Sequence, residues 1–202
     1  MNRVARAFKN GKIKTDAGRF TVDRAFNAHI VIAAADAVLG TSAACHAAVT
    51  DTGVQQVITT GITNPTYPRN VTATSGGTAG DIKAVQIIVE GTNFADEPIT
   101  ETLPAFTADS ATTVSGNKAF KTITKYTQPP MDGTGATVSL GYGTKLGIPY
   151  KLAHNTVHQA FRNQTKEGTL PTVTVDAAAL ENNTMALSSA LNGTQVDVYL
   201  LV

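Results

Sequence analysis

Alternating apolar and polar residues recur in short runs along the middle of the chain, from Val54 to Leu152. The clearest runs are Arg69–Thr74, Ile99–Leu103 and Ala119–Tyr126, and the most apolar is Ile82–Glu90. Turn-forming residues separate these runs at intervals of about 10–15 residues, which is typical of sandwiches and barrels rather than of alternating strands and helices. The pattern predicts an all-β, mainly antiparallel fold with a β-sandwich or barrel body and little helix.

Four other segments need individual interpretation. The apolar run Ile30–Leu39 is compatible with a short helix or a buried strand, and Asn155–Phe161 with one helical turn or a strand. The glycine-rich stretch Ser75–Gly80 is expected to be a flexible turn between two strands. The segment Gln195–Val202 predicts a strong strand, which either lies within a sheet or adds to a neighbour's sheet.

Charge divides the chain into two parts. Only 15% of the residues are charged, below the roughly 25% of a typical domain, and a weakly charged surface suits contact with other subunits. Residues 1–24 carry seven basic and two acidic residues, a charge of +5, which leaves nine basic and thirteen acidic residues, a charge of −4, for the remainder. We therefore expect a basic N-terminal arm, 1–24, and a single β-rich domain, 25–202, with 153–202 as a candidate extension that packs on the body or on a neighbour.

The arm has two interpretations, a disordered terminus or a segment that orders on a neighbour or an acidic surface. Its basic residues are scattered, which is weak evidence for nucleic-acid binding, so we expect no nucleic-acid partner. The chain has one cysteine, Cys45, and therefore no internal disulfide. Neither a convincing signal peptide nor an apolar run long enough to span a membrane is present, so we expect synthesis in the cytoplasm and no membrane partner.

Few residues suggest chemistry. His154 and His158 would share one face of a helix, but no third ligand is evident. Cys45 and His46 are adjacent, so in a strand they would point to opposite faces, which favours a buried structural thiol. A calcium site at Asp96, Glu97 and Glu101 stays open, with a solvated turn as the simpler interpretation. We expect no catalytic, cofactor-binding or metal-binding residues, and we expect that the protein is not an enzyme.

From near Val54 to its end, the chain resembles a family of tailed-bacteriophage virion proteins. The residues that carry this resemblance are PRNVTAT followed by GGTAGDIKA, ITETLPAF, KAFKTIT, DGTGAT, KLGIPYKL with HNTV, and the C-terminal ALNGTQVDVYLLV. The similarity lies in the sequences of strand and turn segments and not in a catalytic motif. The resemblance implies a small virion structural protein of the kind that decorates capsids.

This resemblance implies a head decoration protein on the capsid surface, made in the host cytoplasm, with the major capsid protein and further copies of itself, such as a trimer, as partners. The candidate contact residues are Arg3, Arg6, Lys9, Lys12, Lys14, Arg19, Val198 and Leu200. One alternative is a tail, fibre or baseplate component. Another is a host-surface or glycan-binding adhesion module, for which the expected aromatic platform would come from Tyr67, Tyr126, Tyr142 or Tyr150, because the chain has no tryptophan.

Overall fold

The computed structural model describes residues 26–202, and the predicted basic arm, 1–24, lies outside the described residues. Of these residues, 45% are in strands and 3% in helix. Every strand pairing among them is antiparallel. The prediction of an antiparallel all-β sandwich or barrel-like body with little helix is confirmed.

The strands are short except for one. Within residues 26–202 they are β1 (Asn27–Ile32), β2 (His46–Thr50), β3 (Gln56–Ile58), β4 (Arg69–Gly77), β5 (Ile88–Thr92), β6 (Pro98–Thr102), β7 (Thr113–Phe120), β8 (Thr122–Gln128), β9 (Ala136–Gly147), β10 (Val157–Arg162), β11 (Thr165–Lys166), β12 (Thr172–Thr174), β13 (Thr184–Ala186) and β14 (Val196–Leu201). In the same range, two single 3-10 turns, Ala79–Asp81 and Leu180–Asn182, interrupt the connections.

The strands of the described chain form three sheets. A central six-stranded sheet has the order β12-β13-β9-β4-β7, with β2 paired to β9 beside β13. A second sheet has the order β3-β8-β5-β6, and a third has the order β1-β14-β10-β11. Residues 153–202, the candidate extension, supply strands to both the central and the third sheet, so they are built into the body.

The long strand β9 connects two hydrophobic cores. Ala136, Val138 and Leu140 of its first half belong to one core, which the second sheet covers. Leu146 near its end belongs to the other core, which the third sheet covers. Between these halves, the pairing of β9 with β4 shifts register, and Asn70 fills the irregularity by accepting a hydrogen bond from Lys145 N, at 2.9 Å. The register shift lets a single strand contribute to both cores.

Three predicted strands have different limits in the structure. Ala119–Tyr126 is divided at Lys121 into β7 and β8, which belong to different sheets. Pairing of β5 begins only at Ile88, although Ile82 and Ile87 are fully buried before it. The residues Ser75 to Gly77, expected in a turn, extend β4, because they pair with β9 as far as Ala136. Alternation identifies extended chain, but the pairing partner decides where a strand ends.

Both segments that the sequence left open between helix and strand contribute to strands. Ile30–Leu39 contributes Ile30 to Ile32 to β1, and a turn closed by Ala37 N donating to Ala33 O follows. Asn155–Phe161 supplies most of β10. The C-terminal segment forms β14, which lies between β1 and β10 inside the third sheet. No helix in the described range 26–202 is long and apolar enough to cross a membrane.

Candidate functional site

The alternation of β14 sorts its side chains between core and surface. Val196, Val198 and Leu200 are fully buried in the second core, whereas Asp197 and Tyr199 point to the outer face of the sheet. The prediction that Val198 and Leu200 contact the capsid or another subunit is therefore corrected, since contact by either side chain would require the sheet to open. The basic residues predicted for contact, Arg3 to Arg19, lie outside the described residues.

The outer face of the third sheet carries a cluster of aromatic and imidazole rings, the Tyr199 ring cluster. The register places His29 beside Tyr199, and their rings are stacked with centroids 4.4 Å apart and planes 5° from parallel. Phe161 meets Tyr199 nearly perpendicularly, at 5.9 Å and 83°. His158 lies 6.5 Å from the same ring. The Tyr199 ring cluster therefore consists of aromatic and imidazole rings in mutual contact on the outer face of the sheet.

Asp197 lies next to the Tyr199 ring cluster on β14, opposite Val31 of β1 and Phe161 of β10. Its Oδ1 is 2.8 Å from Nε2 of His29, and Nε2 of Gln195 donates to both carboxylate oxygens, at 3.0–3.1 Å. Only 13% of the side chain is exposed. The carboxylate is therefore held in one orientation, and Oδ2, which accepts only from Gln195 within the described chain, keeps free acceptor capacity.

A concavity of about 300 Å³ opens above this carboxylate. We call it the Asp197 pocket, and its lining residues are Phe161, Gln164, Gln195, Asp197 and Tyr199. Gln164 reaches the pocket from the two-residue turn between β10 and β11. Both residues of this turn, Asn163 and Gln164, have positive φ, 50° and 61°. Two positive φ values are the ordinary geometry of a two-residue type I′ hairpin turn, which fixes the direction in which Gln164 extends. The pocket thus combines one carboxylate, two amides and two aromatic walls, an arrangement that suits a small polar or cationic group.

Sequence reasoning did not identify the residues of the Asp197 pocket. The four tyrosines expected for an aromatic platform lie in different places. Tyr126 is fully buried, Tyr67 donates its hydroxyl to Gly147 O at 2.9 Å, and only Tyr150, 37% exposed, is open to solvent. Tyr142 packs under the guanidinium of Arg69, 4.4 Å from its ring centroid. The available signal was the alternation of β14, which puts Asp197 and Tyr199 on the polar face of a strand whose other face is apolar.

The histidines and the cysteine have structural contacts. The segment that contains His158 is a strand, so the helical pairing of His154 with His158 does not form; His158 Nε2 lies 3.0 Å from Asn27 Oδ1. Cys45 is 1% exposed in the first core, and this burial raises the pKa of its thiol to about 12. The neighbouring His46 points away to the Tyr126 hydroxyl, 3.2 Å from its Nδ1. A protonated, buried thiol is a poor nucleophile.

The acidic residues considered for calcium have separate partners. Asp96 pairs with Lys121 at 2.7 Å, and Glu97 accepts a hydrogen bond from Asn93 at 2.8 Å. Glu101 accepts from the backbone of Asn117, and its burial raises its pKa above the usual range. Within residues 26–202, no group of three or more histidine, cysteine or acidic side chains is placed to hold a metal ion.

Arg69 is the largest fully buried side chain in the described chain. Its Nη1 donates to Val38 O at 3.1 Å and, more weakly, to Asp36 O at 3.4 Å. Burial lowers the pKa of its guanidinium, and Nε and Nη2 have no hydrogen-bond partner within residues 26–202. The side chain therefore ties the loop after β1 to the central sheet, which is a structural role.

No protein-family model, no curated protein and no solved structure matches this chain. Its class is defined by its own geometry, a three-sheet antiparallel β body with a carboxylate pocket on the outer face of the third sheet.

Proposed function

We propose that this chain is a bacteriophage virion structural protein, a head decoration protein that binds and stabilises the capsid shell. The proposal is motivated by the resemblance inferred from the sequence alone, between the strand and turn segments from near Val54 to the end and tailed-phage virion proteins. A weakly charged, nearly all-β body that carries a basic arm fits this role, because decoration requires a stable body and surfaces that bind other subunits.

The observation that carries the proposal is an uncovered apolar corner where the arm joins the body. Phe26 and Val202 exchange backbone hydrogen bonds of 2.8 and 2.9 Å and extend the β1–β14 pairing past the core. Phe26 is 61% exposed and Val202 is 38% exposed. Residues directly opposite each other in an antiparallel pair share one face of the sheet, so these two side chains lie side by side. Adjacent exposed apolar side chains suit contact with another subunit. We call these two residues the apolar corner.

The backbone beside this corner is also available. β1 is the outer strand of the third sheet among the described residues, so its free N–H and C=O groups face away from β14. An unpaired strand edge readily accepts another chain. The apolar corner and the β1 edge together would bind a neighbouring copy or the shell, in closed arrangements such as a trimer.

Decoration would work by multivalent attachment. Each subunit makes modest contacts, through the arm and through the body, to the major capsid protein and to sibling subunits across the joints of the shell. Linked weak contacts give a much higher overall affinity than any one of them, so the assembly resists the internal pressure of packaged DNA.

Quantitative mass spectrometry of purified virions tests the proposed location. A decoration protein should be present in numbers on the order of hundreds per particle, comparable with the capsid protein, because avidity requires many sites on the shell. A few copies per particle would assign the chain to the tail, fibre or baseplate instead. Absence from virions, together with binding to purified host envelope, would support the adhesion alternative and contradict the proposal.

Deleting residues 2–24 should abolish binding to expanded capsids and leave the body folded, because the arm contributes the concentrated positive charge. Co-sedimentation with capsids measures binding, and far-UV circular dichroism checks the fold. A variant in which the seven basic residues of the arm are replaced by glutamine, at unchanged length, is the matched control for charge. Capsid binding by the deleted chain equal to that of the intact chain would contradict an anchoring arm.

A further inference from the structure

We propose that the Asp197 pocket binds an arginine side chain from the basic arm, residues 1–24, of a second copy of this chain. This inference rests on the proposed function, since it names the sibling subunit as a partner and identifies one of the contacts. The ligand of the pocket is then a guanidinium, and the arm binds to the outer face of the third sheet of a neighbouring subunit.

The pocket has the chemistry that a guanidinium requires. Among the described residues, Asp197 is the only charged one in its lining, and the carboxylate is already oriented by His29 and Gln195. Oδ2 accepts only from Gln195 within the described chain and so retains acceptor capacity for a planar N–H donor. A guanidinium also stacks on aromatic rings and is more weakly hydrated than an ammonium. The rings of Phe161 and Tyr199 line the pocket and supply aromatic surface for such contact, so the pocket favours arginine over lysine.

The ligand is provided by the chain itself. The body carries a charge of −4 and the arm +5, and four of the seven basic residues of the arm are arginines: Arg3, Arg6, Arg19 and Arg24. The segment before Phe26 is long enough to reach a neighbouring subunit, because 25 residues span up to roughly 80 Å when extended.

Chain direction favours the arm of a second copy. β1 begins at Asn27, opposite Leu201, and ends at Ile32, opposite Val196. The pocket lies at the end where β1 finishes, beside Asp197 and Gln195, whereas the arm joins at the end where β1 starts. The arm of the same chain would have to reverse direction to reach the pocket. A neighbour whose β1 pairs antiparallel with this β1 edge would place the start of its arm near Ile32, at the pocket end, without this reversal.

Photo-crosslinking of the full-length purified protein, without any capsid, tests the proposal. A benzophenone amino acid replaces Lys166, which is exposed and pairs with Phe161 across the sheet, so the pocket lining is unchanged. Equal amounts of isotopically light and heavy chains are mixed, irradiated and digested, at concentrations where the yield of crosslinks rises linearly. The expected product joins the β11 region of one isotopic form to an arm peptide of the other. The same probe at Thr100, exposed on β6, should give no arm product.

Two variants distinguish the pocket from general attraction. Asp197→Asn should lower the yield of the arm crosslink about tenfold, since a hydrogen bond between charged partners is lost. Changing the four arm arginines to lysine keeps the arm charge and should lower the yield of the arm crosslink to a similar extent. Changing Lys9, Lys12 and Lys14 to arginine should leave that yield unchanged or increase it.

Several results would overturn the proposal: arm crosslinks only within one isotopic form, an arm crosslink unaffected by Asp197→Asn, or no arm crosslink at position 166. Saccharide binding on a glycan array that is lost in Asp197→Asn, without arm crosslinks, would instead assign the pocket to a carbohydrate. Because no capsid is present, a crosslink would demonstrate arm binding at the pocket even if virion mass spectrometry contradicts the decoration role. The absence of a crosslink would leave the proposed decoration role unaffected.

Discussion

At the residue scale, Arg69 is a buried guanidinium with no carboxylate in salt-bridge contact among the described residues. Arg69 is 2% exposed, and its contacts within residues 26–202 are two backbone carbonyls and the ring of Tyr142. Removing a charge from water costs several kcal/mol, and neutral partners recover only part of that cost. What makes arginine suitable here is its planar, weakly hydrated group, which packs flat on the tyrosine.

Replacing Arg69 by lysine should be more harmful than replacing it by methionine. The lysine side chain would keep the buried charge and lose the stacking, which we expect to lower the free energy of unfolding by about 2 kcal/mol. Arg69→Met removes both the charge and its desolvation cost, so we expect a loss of less than about 1 kcal/mol. Urea denaturation measures both. A larger loss for the methionine variant would show that the hydrogen bonds to Val38 and Asp36 outweigh the buried charge.

A second residue, Asn183, organises the loop between β12 and β13. It is fully buried. Its Oδ1 accepts from the backbone N–H groups of Leu152, at 3.1 Å, and Asp176, at 2.9 Å. Its Nδ2 donates to the carbonyls of Asp176, at 2.8 Å, and Ala179, at 2.9 Å. Only an amide can donate and accept at once in this way.

Asn183→Asp should therefore destabilise the protein by about 3 kcal/mol at neutral pH, because a carboxylate cannot donate to the two carbonyls and is charged in a buried place. The matched control is Asn155→Asp: Asn155 is exposed and its Oδ1 accepts from Val157 N, so aspartate keeps that contact and should change stability by less than about 0.5 kcal/mol. Equal effects of the two changes in thermal denaturation would contradict this role for Asn183.

At the scale of elements, glycine allows β5 and β8 to pair closely. Register shifts between Glu90 and Gly91, and a Cβ at Gly91 would collide with the carbonyl oxygen of Thr122. Gly91→Ala should force the strands apart and cost about 2 kcal/mol, measured by urea denaturation. Gly80→Ala is the control, since a Cβ there would meet nothing within 4 Å, and its effect should stay within about 0.5 kcal/mol. A neutral Gly91→Ala would show that this pairing adjusts freely.

The sequence was sufficient for strand content but not for strand boundaries. Alternation in Ile99–Leu103 correctly places Ile99 and Leu103 on a buried face. The division of Ala119–Tyr126 at Lys121 could not be read from the sequence, because a change of sheet leaves the local polarity pattern nearly intact. Likewise, the glycines of Ser75–Gly77 resemble a turn, and their strand conformation depends on pairing with β9.

The site was harder to predict than the fold because it depends on contacts distant in sequence. His29, Phe161 and Asp197 come from three strands that pair only in the folded molecule. Each is an ordinary residue in its own segment, and none belongs to a motif with fixed spacing. Val198 and Leu200 suggest subunit contact because their strand is apolar, although it is this apolar character that places them in the core.

At the scale of the whole molecule, the apolar corner should control self-association. Phe26→Ser combined with Val202→Ser should weaken oligomer formation by the purified chain, because it removes apolar surface that a neighbour would cover. Sedimentation velocity over a range of concentrations measures the effect. Val57→Ser is the control: Val57 is 52% exposed on β3, in a different sheet. Equal weakening by both changes would indicate nonspecific association and not an interface at this corner.

The position of β9 between the two cores has a consequence for local opening. Its backbone is paired with β4 on one side and with β2 and β13 on the other, so its amide hydrogens become exposed along the whole strand only when both cores separate. Hydrogen–deuterium exchange should therefore be slowest in β9 and faster in the edge strands β6 and β12. The slowest β9 amides would report the free energy of global unfolding, and destabilisation in either core, by Asn183→Asp or by Gly91→Ala, should accelerate exchange along the entire strand.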